Sequence, residues 1–239
     1  MRHLIRAVVI GVLTLVPFCF GYGGFEVTAG FVDFKGLNEN FTVLNRLDSA
    51  NGGIGGTGSF NYRGPLWWYG GSGGDHVGPV TLGGSGAFAA RANQADSLGS
   101  EVAAIRANFE MGYPYSLVGR AWVRPTLELA GTGMVAYAHS KENGAVVGNF
   151  SGRFKRWFAA WGIGAAPGVE LMGSMPISDE SYMGLFIKAS YFIPLSRPAW
   201  FGDRDPPDFD LGGFTLQIGL RFGKTFRPGG EEETNWFDQ

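Results

Sequence analysis

A histidine and a serine stand side by side near the middle of the chain. His139 precedes Ser140, with Glu142 close behind, and a histidine base beside a serine nucleophile is the pair that acyl hydrolysis requires. On a strand, the base and the nucleophile must be two residues apart to share one face. Adjacent residues point to opposite faces, so the pattern favours a polar loop end. We therefore predict that the protein is not an enzyme.

The segments that could bind a metal or a phosphate do not match the sequence motifs of such sites. The four aspartates between residues 203 and 210 could hold a hard cation such as calcium, but prolines interrupt them. The glycine-rich runs 52–58 and 70–74 lack the Gly-Lys-Ser/Thr signature and the following helix of a phosphate loop. Cys19 is the single cysteine, which leaves no pair of thiolates for zinc. We predict no catalytic residue, no cofactor and no metal.

The most regular pattern of charged residues lies between Ala103 and Tyr137. Apolar and polar residues alternate there, so each strand has one apolar face and one face that carries charges. The alternation breaks at residues 116–118, which is about the length of a hairpin loop. The stretch therefore predicts a two-stranded antiparallel ribbon.

Charges of opposite sign come into register when this ribbon is paired. If the two strands pair about Leu117, Arg106 lies opposite Glu128, and Glu110 lies opposite Arg124. Opposite charges that face each other across two strands stabilise a sheet by roughly 0.2–1 kcal/mol per pair. In water this face would meet solvent, whereas in a membrane barrel it would line the inside.

Composition favours the second environment. Glycine contributes 40 of the 239 residues, aromatic residues make up 15% and charged residues only 17%. Abundant glycine and aromatic residues with few charges suit curved strands that face lipid. The formal net charge of −2 leaves no basic footprint for nucleic acid, so we expect no nucleic-acid partner.

The first 21 residues have the features of a secretory signal peptide. Two arginines precede an apolar run over residues 7–20, and Gly21 supplies a small residue for cleavage. One alternative is an N-terminal membrane helix, against which Pro17 and the glycines after it argue. The other is lipidation of Cys19, which the bulky Phe18 before it disfavours.

Six further segments show the same alternation. They are 25–31, 54–62, 80–90, 157–165, 183–193 and 214–222, and the ribbon brings the total to eight strands. The segment 157–165 could continue past Pro167 to Leu171, or turn at 166–168 and raise the count to ten. Long polar links are predicted at 37–52, 139–152 and 195–210, and the link 63–75 is long for the side of a barrel that carries short turns.

This layout resembles the small outer-membrane barrels of the OmpA/OmpX type. The shared features are the N-terminal leader, the eight alternating segments and a last strand over Phe214–Phe222. The resemblance implies an all-β fold, a closed antiparallel up-and-down transmembrane β-barrel over residues 22–226, with an acidic tail over 227–239. It also implies export through the periplasm to the cell outer membrane. The barrel-insertion machinery would then read Phe222 or Phe226 as the terminal aromatic residue.

In such a barrel the apolar rows face lipid and the charged rows fill the lumen, since eight strands are just wide enough for side chains. The predicted lumen charges are Glu26, Arg106, Glu110, Arg124, Glu128, Lys188 and Arg221, with Arg91 and Arg156 on the same rows. We expect a structural, adhesion or interaction protein that contacts outer-membrane lipid and displays its long loops. The alternatives are a narrow channel for small solutes, a lipid-A-modifying barrel hydrolase and a soluble secreted β-sandwich.

Overall fold

The computed structural model describes residues 21–39, 41–42, 61–94, 98–118, 120–140, 155–178, 181–202 and 212–224. Nearly all of these residues lie in strands. The predicted signal peptide, the acidic tail and much of the predicted long loops fall outside them. The boundaries that the sequence sets for those parts therefore stay predictions.

Ten strands and one helical segment are described. The strands are β1 (Tyr22–Val32), β2 (Leu66–Val77), β3 (Val80–Gln94), β4 (Leu98–Gly112), β5 (Tyr115–Val118), β6 (Ala121–Ser140), β7 (Lys155–Ser178), β8 (Ser181–Pro194), β9 (Ala199–Gly202) and β10 (Gly213–Lys224). Residues 35–39 and 41–42, between β1 and β2, are helical. Among the described residues, no helix combines the length and the apolar character that a membrane-crossing helix needs.

Eight of these strands form a closed ring. The neighbours are hydrogen-bonded in the order β1-β2-β3-β4-β6-β7-β8-β10, and β10 pairs with β1 from Tyr22↔Gly223 to Val32↔Gly213. The short strand β5 continues β4 along β6, and β9 continues β8 along β7. The predicted closed antiparallel barrel of eight strands is confirmed, and the β-sandwich alternative is wrong.

The two ends of the barrel carry connections of different length. Residues 78–79, 119–120 and 179–180 connect strands at one end, which we call the short-turn end. At the other end, the long-link end, successive strands are separated by residues 33–65, 95–97, 141–154 and 203–212. Gly78 has a φ of +60°, a conformation that tight hairpin turns require and that glycine adopts without strain. The start of β1 and the end of β10 both lie at the short-turn end.

One strand of the ring was not predicted. The sequence pattern puts a link at 63–75, whereas β2 occupies Leu66–Val77. Most of the strand predicted at 54–62 lies outside the described residues, and residues 61–62 are not in a strand. Glycines at 70, 71, 73 and 74 fall on both faces of β2, and without side chains they hide its alternation. With β2 in place, the exceptional link at the short-turn end disappears, since β2 and β3 are separated by only two residues.

The long strand β7 settles whether the chain turns at Pro167. The strand runs unbroken through this residue, and Pro167 pairs with Leu127 of β6. The pairing between β7 and β8 passes from Ala165↔Ile193 directly to Gly168↔Ser190. A proline has no N–H to donate, and it lies where the ladder to β8 is interrupted. The count is therefore eight barrel strands and not ten.

The alternation along each strand separates the two faces of the barrel. Phe109, Leu127, Ile187 and Leu220 are between 42% and 48% exposed on the outside, whereas Glu128 is 2% exposed on the inside. Large exposed apolar side chains recur on every strand of the ring except β3, where Leu82 and Phe88 are half-buried. The predicted orientation, with apolar rows outward and charged rows inward, follows directly from the period of two.

Candidate functional site

The interior of the barrel nearer the short-turn end is charged. Its charged side chains are Glu26 on β1, Arg106 and Glu110 on β4, Arg124 and Glu128 on β6, Glu170 on β7, Lys188 on β8 and Arg221 on β10. Four are acidic and four are basic, so their charges balance. Most of them are buried, and buried charges are tolerated only when they are paired and hydrogen-bonded.

Seven of these charges form one continuous chain of ion pairs, which we call the ion-pair network; Glu26 is the eighth charge. At one end, Arg106 Nη2 donates to Glu128 Oε2 at 2.9 Å. The ammonium of Lys188 then donates to both Glu128 and Glu110. Asn108 donates to Glu128 as well, which satisfies a further lone pair of that carboxylate. One lysine of β8 therefore joins the charges of β4 and β6, two strands with which β8 does not pair.

The network continues through Arg124 to Glu170. Arg124 Nη2 lies 2.5 Å from Glu110 Oε1 and 2.8 Å from Glu170 Oε2. Its other nitrogen, Nη1, donates to Thr81 Oγ1 at 2.8 Å. Glu170 also accepts two hydrogen bonds from Arg221, Nη1 to Oε1 at 2.6 Å and Nη2 to Oε2 at 3.0 Å. This bidentate arrangement is the strong and directional form of an arginine–carboxylate pair.

The predicted register of the ribbon is wrong. Each residue of β4 pairs with the residue of β6 that lies four positions later than predicted. Glu110 lies opposite Glu128, and Arg106 lies opposite Thr132, because the turn falls at residues 119–120 and not at Leu117. The two contacts that the wrong register proposed nevertheless form, Arg106 with Glu128 and Arg124 with Glu110. Long side chains on one face reach diagonal neighbours as well as direct ones.

Glu26 lies beside this network and lines a small internal cavity. Its side chain is 6% exposed, and the cavity is also lined by Ser72, Glu110, Lys188 and Gln217. The cavity volume is about 10 Å³, which is room for about a single water molecule. Two rings stack on the adjacent charge, because the Arg221 guanidinium carbon lies 4.8 Å from the ring centre of Tyr22 and 4.6 Å from that of Phe186. Side chains therefore fill the lumen at this level.

Glu170 is the central residue that the sequence analysis missed. It is 1% exposed and bridges Arg124 and Arg221. The signal was present, because the alternation of 157–165 continues with Val169 and Leu171 outward and Glu170 inward. It was lost because the pattern allowed a turn at 166–168.

The other two predicted lumen arginines are not placed in the network. Arg91 lies towards the long-link end, with its guanidinium carbon 5.8 Å from the ring centre of Tyr62. Arg156 is on β7, and its side chain lies outside the described residues, as do those of His139 and Ser140. The aspartates at 203–210 also lie outside them. Within the described residues, no group of three or more His, Cys, Asp or Glu side chains is placed to hold a metal ion.

The interior nearer the long-link end is apolar, which the sequence analysis did not foresee. The cluster there consists of Phe34, Leu37, Phe41, Tyr62, Leu66, Trp68, Ala89, Val102, Ala104, Met134, Ala136 and Phe158. Leu37 and Phe41 come from the helical segment after β1 and are 0% exposed. The loop predicted at 37–52 therefore does not begin as a displayed loop, because its first turn packs inside the barrel mouth.

Tyr62 connects this apolar cluster to the barrel wall. Its hydroxyl shares a hydrogen bond with Ser100 Oγ, with 2.7 Å between the oxygens. The side chain is 3% exposed, and burial is the main cause that raises the pKa of Tyr62 to about 12. The residue precedes β2 and lies outside the strands of the ring. A neutral hydroxyl is thus part of the packed mouth.

The fold and the lumen together define a closed β-barrel with an apolar exterior and a filled interior. Neisserial surface protein A is similar at 13% identity and a TM-score of 0.39, over 84% of this chain and 96% of that one. A major outer membrane protein from Thermus thermophilus is similar at 9% identity and a TM-score of 0.44, over 84% and 98%. The attachment invasion locus protein of Yersinia pestis is similar at 9% identity and a TM-score of 0.39, over 87% and 99%.

The resemblance to small outer-membrane barrels that the sequence indicates is thus met again among solved structures. At these identities and TM-scores the similarity concerns the fold alone, and the fold is defined by the strand pairing of the chain itself. No protein-family model and no curated protein matches the sequence.

Proposed function

We propose that the chain is an integral outer-membrane β-barrel with a structural, adhesion or interaction role and a lumen closed by side chains. The observation that carries this proposal is the distribution of polarity, which is the reverse of that in a soluble protein. The apolar rows lie outside and the ion-pair network lies inside. Ile187, for example, is 48% exposed, whereas Lys188 beside it is 3% exposed. Such an exterior is stable in hydrocarbon, and a closed ring leaves no unpaired strand edge there.

Membrane integration is tested by fractionation of cells that express the full chain. We expect the protein to remain in the membrane pellet after a carbonate wash and to dissolve only with detergent. Closed barrels stay folded in dodecyl sulfate at room temperature, so we expect unheated and boiled samples to migrate differently on a gel. Release into the soluble fraction by carbonate would contradict the proposal.

The interaction role concerns the long-link end. The strands that flank the connections 33–65, 141–154 and 203–212 end there, and longer loops of outer-membrane barrels face the cell exterior. An epitope inserted within 141–154 should be labelled by antibody on intact cells. The same epitope appended after residue 239 is the matched control, since β10 ends at the short-turn end and labelling should then need permeabilised cells.

The closed lumen separates this role from the narrow-channel alternative. The cavity beside Glu26 has a volume of only about 10 Å³. In a planar lipid bilayer, we expect the purified protein to add no conductance steps in 1 M KCl. Discrete steps that scale with protein concentration would favour the channel.

We further propose that the protein is not an enzyme and that it acts in the membrane through its exposed surfaces. The lipid-A-modifying hydrolase is the alternative, and it rests on the adjacent pair His139 and Ser140. Mass spectrometry of lipid A from cells with and without the protein distinguishes them. An unchanged acylation pattern supports the proposal, and a loss of acyl chains that His139→Ala abolishes would overturn it.

Assembly in this proposal uses outer-membrane lipid as solvent and the barrel-insertion machinery as a transient partner. Phe222, the outward-facing aromatic residue nearer the end of β10, is the residue that we expect the machinery to read. Its side chain is 39% exposed. Phe222→Ala should lower the amount of heat-modifiable protein in the membrane, and Phe214→Ala at the other end of β10 is the matched control.

A further inference from the structure

The apolar cluster at the long-link end is built around three side chains that enter the barrel from the connection after β1. Phe34, Leu37 and Phe41 are 4%, 0% and 0% exposed, and we call them the stopper. They belong to a segment that leaves the wall at Val32 and turns into helix at residue 35. All three side chains are apolar, so the stopper adds packing to the lumen and no charge.

The wall around the stopper is shaped to receive it. Ala89, Ala104 and Ala136 are inward-facing residues of β3, β4 and β6, and all three are buried. Their short side chains leave the centre of the barrel free for larger groups. Phe158 of β7 fills the remaining side, with its ring centre 6.2 Å from that of Phe41. Small wall residues and large stopper residues thus complement each other, as in a packed core.

Hydrogen bonds hold the stopper in place. Asn38 Nδ2 donates to the carbonyl oxygen of Tyr62 at 3.1 Å, and the Tyr62 amide donates to Asn38 Oδ1 at 2.7 Å. Tyr62 in turn is bonded to Ser100 of β4. The helical segment is therefore fixed to the wall at a second point, far along the chain from β1.

The stopper and the ion-pair network occupy successive levels of the lumen. On β4, Val102 and Ala104 belong to the apolar cluster, and Arg106 starts the network two residues further on. Phe192 lies between the two levels, with the Arg106 guanidinium carbon 5.2 Å from its ring centre. The levels differ in chemistry, because one excludes water by apolar packing and the other holds fixed charges.

We infer that the lumen is closed by two independent seals in series, the stopper at the long-link end and the ion-pair network at the short-turn end. Either seal is enough to keep the lumen shut. The inference rests on the proposed closed lumen, and it adds that residues of this chain's own first connection form one of the two seals. A lesion in one seal therefore leaves the barrel non-conducting.

Four proteins test this inference in planar bilayers. They are the wild type, a stopper variant (Leu37→Ser with Phe41→Ser), a network variant (Glu110→Ala with Lys188→Ala) and the combination of all four substitutions. The network variant removes one acid and one base, so the remaining lumen charges stay balanced. Leu195→Ser with Phe201→Ser is the matched control for the stopper, since both residues are exposed.

We expect conductance steps in 1 M KCl only from the combined variant. Steps from either two-residue variant alone would overturn the inference, because one seal would then be insufficient. Absence of steps from the combined variant would overturn it too. Steps from the wild type would instead refute the closed lumen of the proposed function, which keeps the two failures distinguishable.

Cysteine labelling tests the same inference if a variant inserts too poorly for conductance. Cys19, the chain's one cysteine, is first replaced by serine. Ala104→Cys then reports on the stopper level and Ser72→Cys on the network level, with a small water-soluble methanethiosulfonate as the probe. From the long-link side, we expect Ala104→Cys to react only when the stopper is substituted, and Ser72→Cys only in the combined variant. Reaction of Ala104→Cys with the stopper intact would contradict the inference.

Discussion

Arg221 and Glu170 bind each other through two hydrogen bonds, at 2.6 Å and 3.0 Å, although β8 lies between the strands that carry them. Glu170 also binds Arg124, so one carboxylate neutralises charges from β6 and β10. The contact reaches over β8 on the inner face of the barrel. It ties together strands that no backbone hydrogen bond connects.

Glu170→Gln should therefore be among the most damaging single changes in the barrel. The substitution preserves the shape but leaves two buried guanidinium groups without their shared anion, which costs about 3–5 kcal/mol. We expect a loss of that size in the free energy of unfolding by urea in lipid vesicles. Glu39→Gln, at an exposed position of the helical segment, is the control and should change little. An unchanged urea midpoint of unfolding for Glu170→Gln would show that the ion pairs of Glu170 do not stabilise the barrel.

The register of β4 against β6 predicts where a disulfide can form. Phe109 lies opposite Leu129 on the outer face, whereas pairing about Leu117 would put Pro125 opposite Phe109. In a background without Cys19, Phe109→Cys with Leu129→Cys should form a disulfide on mild oxidation. Phe109→Cys with Pro125→Cys should not. The assay is the mobility of the boiled, unreduced protein on a gel, and a disulfide in the second variant would restore the rejected register.

Glycines that face the lumen and glycines that face outward should differ in their response to alanine. A Cβ on Gly164 would clash with Phe192 Cζ and lie 2.6 Å from the carbonyl oxygen of Ile193, whereas a Cβ on Gly131 meets nothing within 4 Å. Forced overpacking of this kind costs about 1–3 kcal/mol. We expect Gly164→Ala to lower the temperature at which the folded gel band is lost, and Gly131→Ala to leave it unchanged or raise it. Equal effects would contradict the packing around Phe192.

The stability of the barrel mouth should fall at alkaline pH. The pKa of Tyr62 is raised from about 10 in an unfolded chain to about 12, so the folded state retains a neutral hydroxyl where the unfolded state ionises. Its contribution is complete below pH 10 and is lost as the pH rises towards 12. A shift of two pKa units is worth about 2–3 kcal/mol.

Tyr62→Phe removes this ionisation and is the appropriate comparison. Between pH 9 and pH 12 we expect the free energy of unfolding to decline less for Tyr62→Phe than for the wild type. Other tyrosines and lysines titrate equally in both proteins and cancel in the difference. Parallel curves would mean that the Tyr62 hydroxyl is not buried in the folded protein.

The outer surface should reject charge according to its position along the barrel. Ile187 is 48% exposed in the middle of β8, and Val118 is 82% exposed at the short-turn end. An arginine at the midplane of a bilayer costs about 2–4 kcal/mol, and one near the interface costs about 0–1 kcal/mol. We expect Ile187→Arg to reduce stability in vesicles and Val118→Arg to have little effect. Equal tolerance of both would indicate that Ile187 does not face lipid.

The sequence correctly predicted the strands whose two faces carry side chains of clearly different polarity. β8 and β10 alternate without interruption, and their inward and outward residues lie as predicted. β2 could not be found because four of its central residues are glycines on both faces, and glycine carries no information about a face. Pro167 created the second ambiguity, since a proline in a strand is tolerated only where a ladder is interrupted, and that depends on the partner strand.

Contacts within the lumen were harder to predict than the faces. Alternation assigned Arg106, Glu110, Arg124 and Glu128 to one face, but the register was wrong because the hairpin turn lies two residues later than the break in the pattern. The stopper could not be foreseen, since Leu37 and Phe41 lie in a mostly polar connection, and only the shape of the mouth shows what they fill.

The pairing of β1 with β10 has a consequence for biosynthesis. The seam joins Tyr22 to Gly223, so the final hydrogen bonds of the ring need the strand that the ribosome makes after all the others in the ring. A product that terminates before β10 keeps two unpaired edge strands, and unpaired edge strands pair with other chains and cause aggregation. The polypeptide must therefore be kept unfolded until β10 has been synthesised. A stop codon before that strand should lead to degradation of the truncated product.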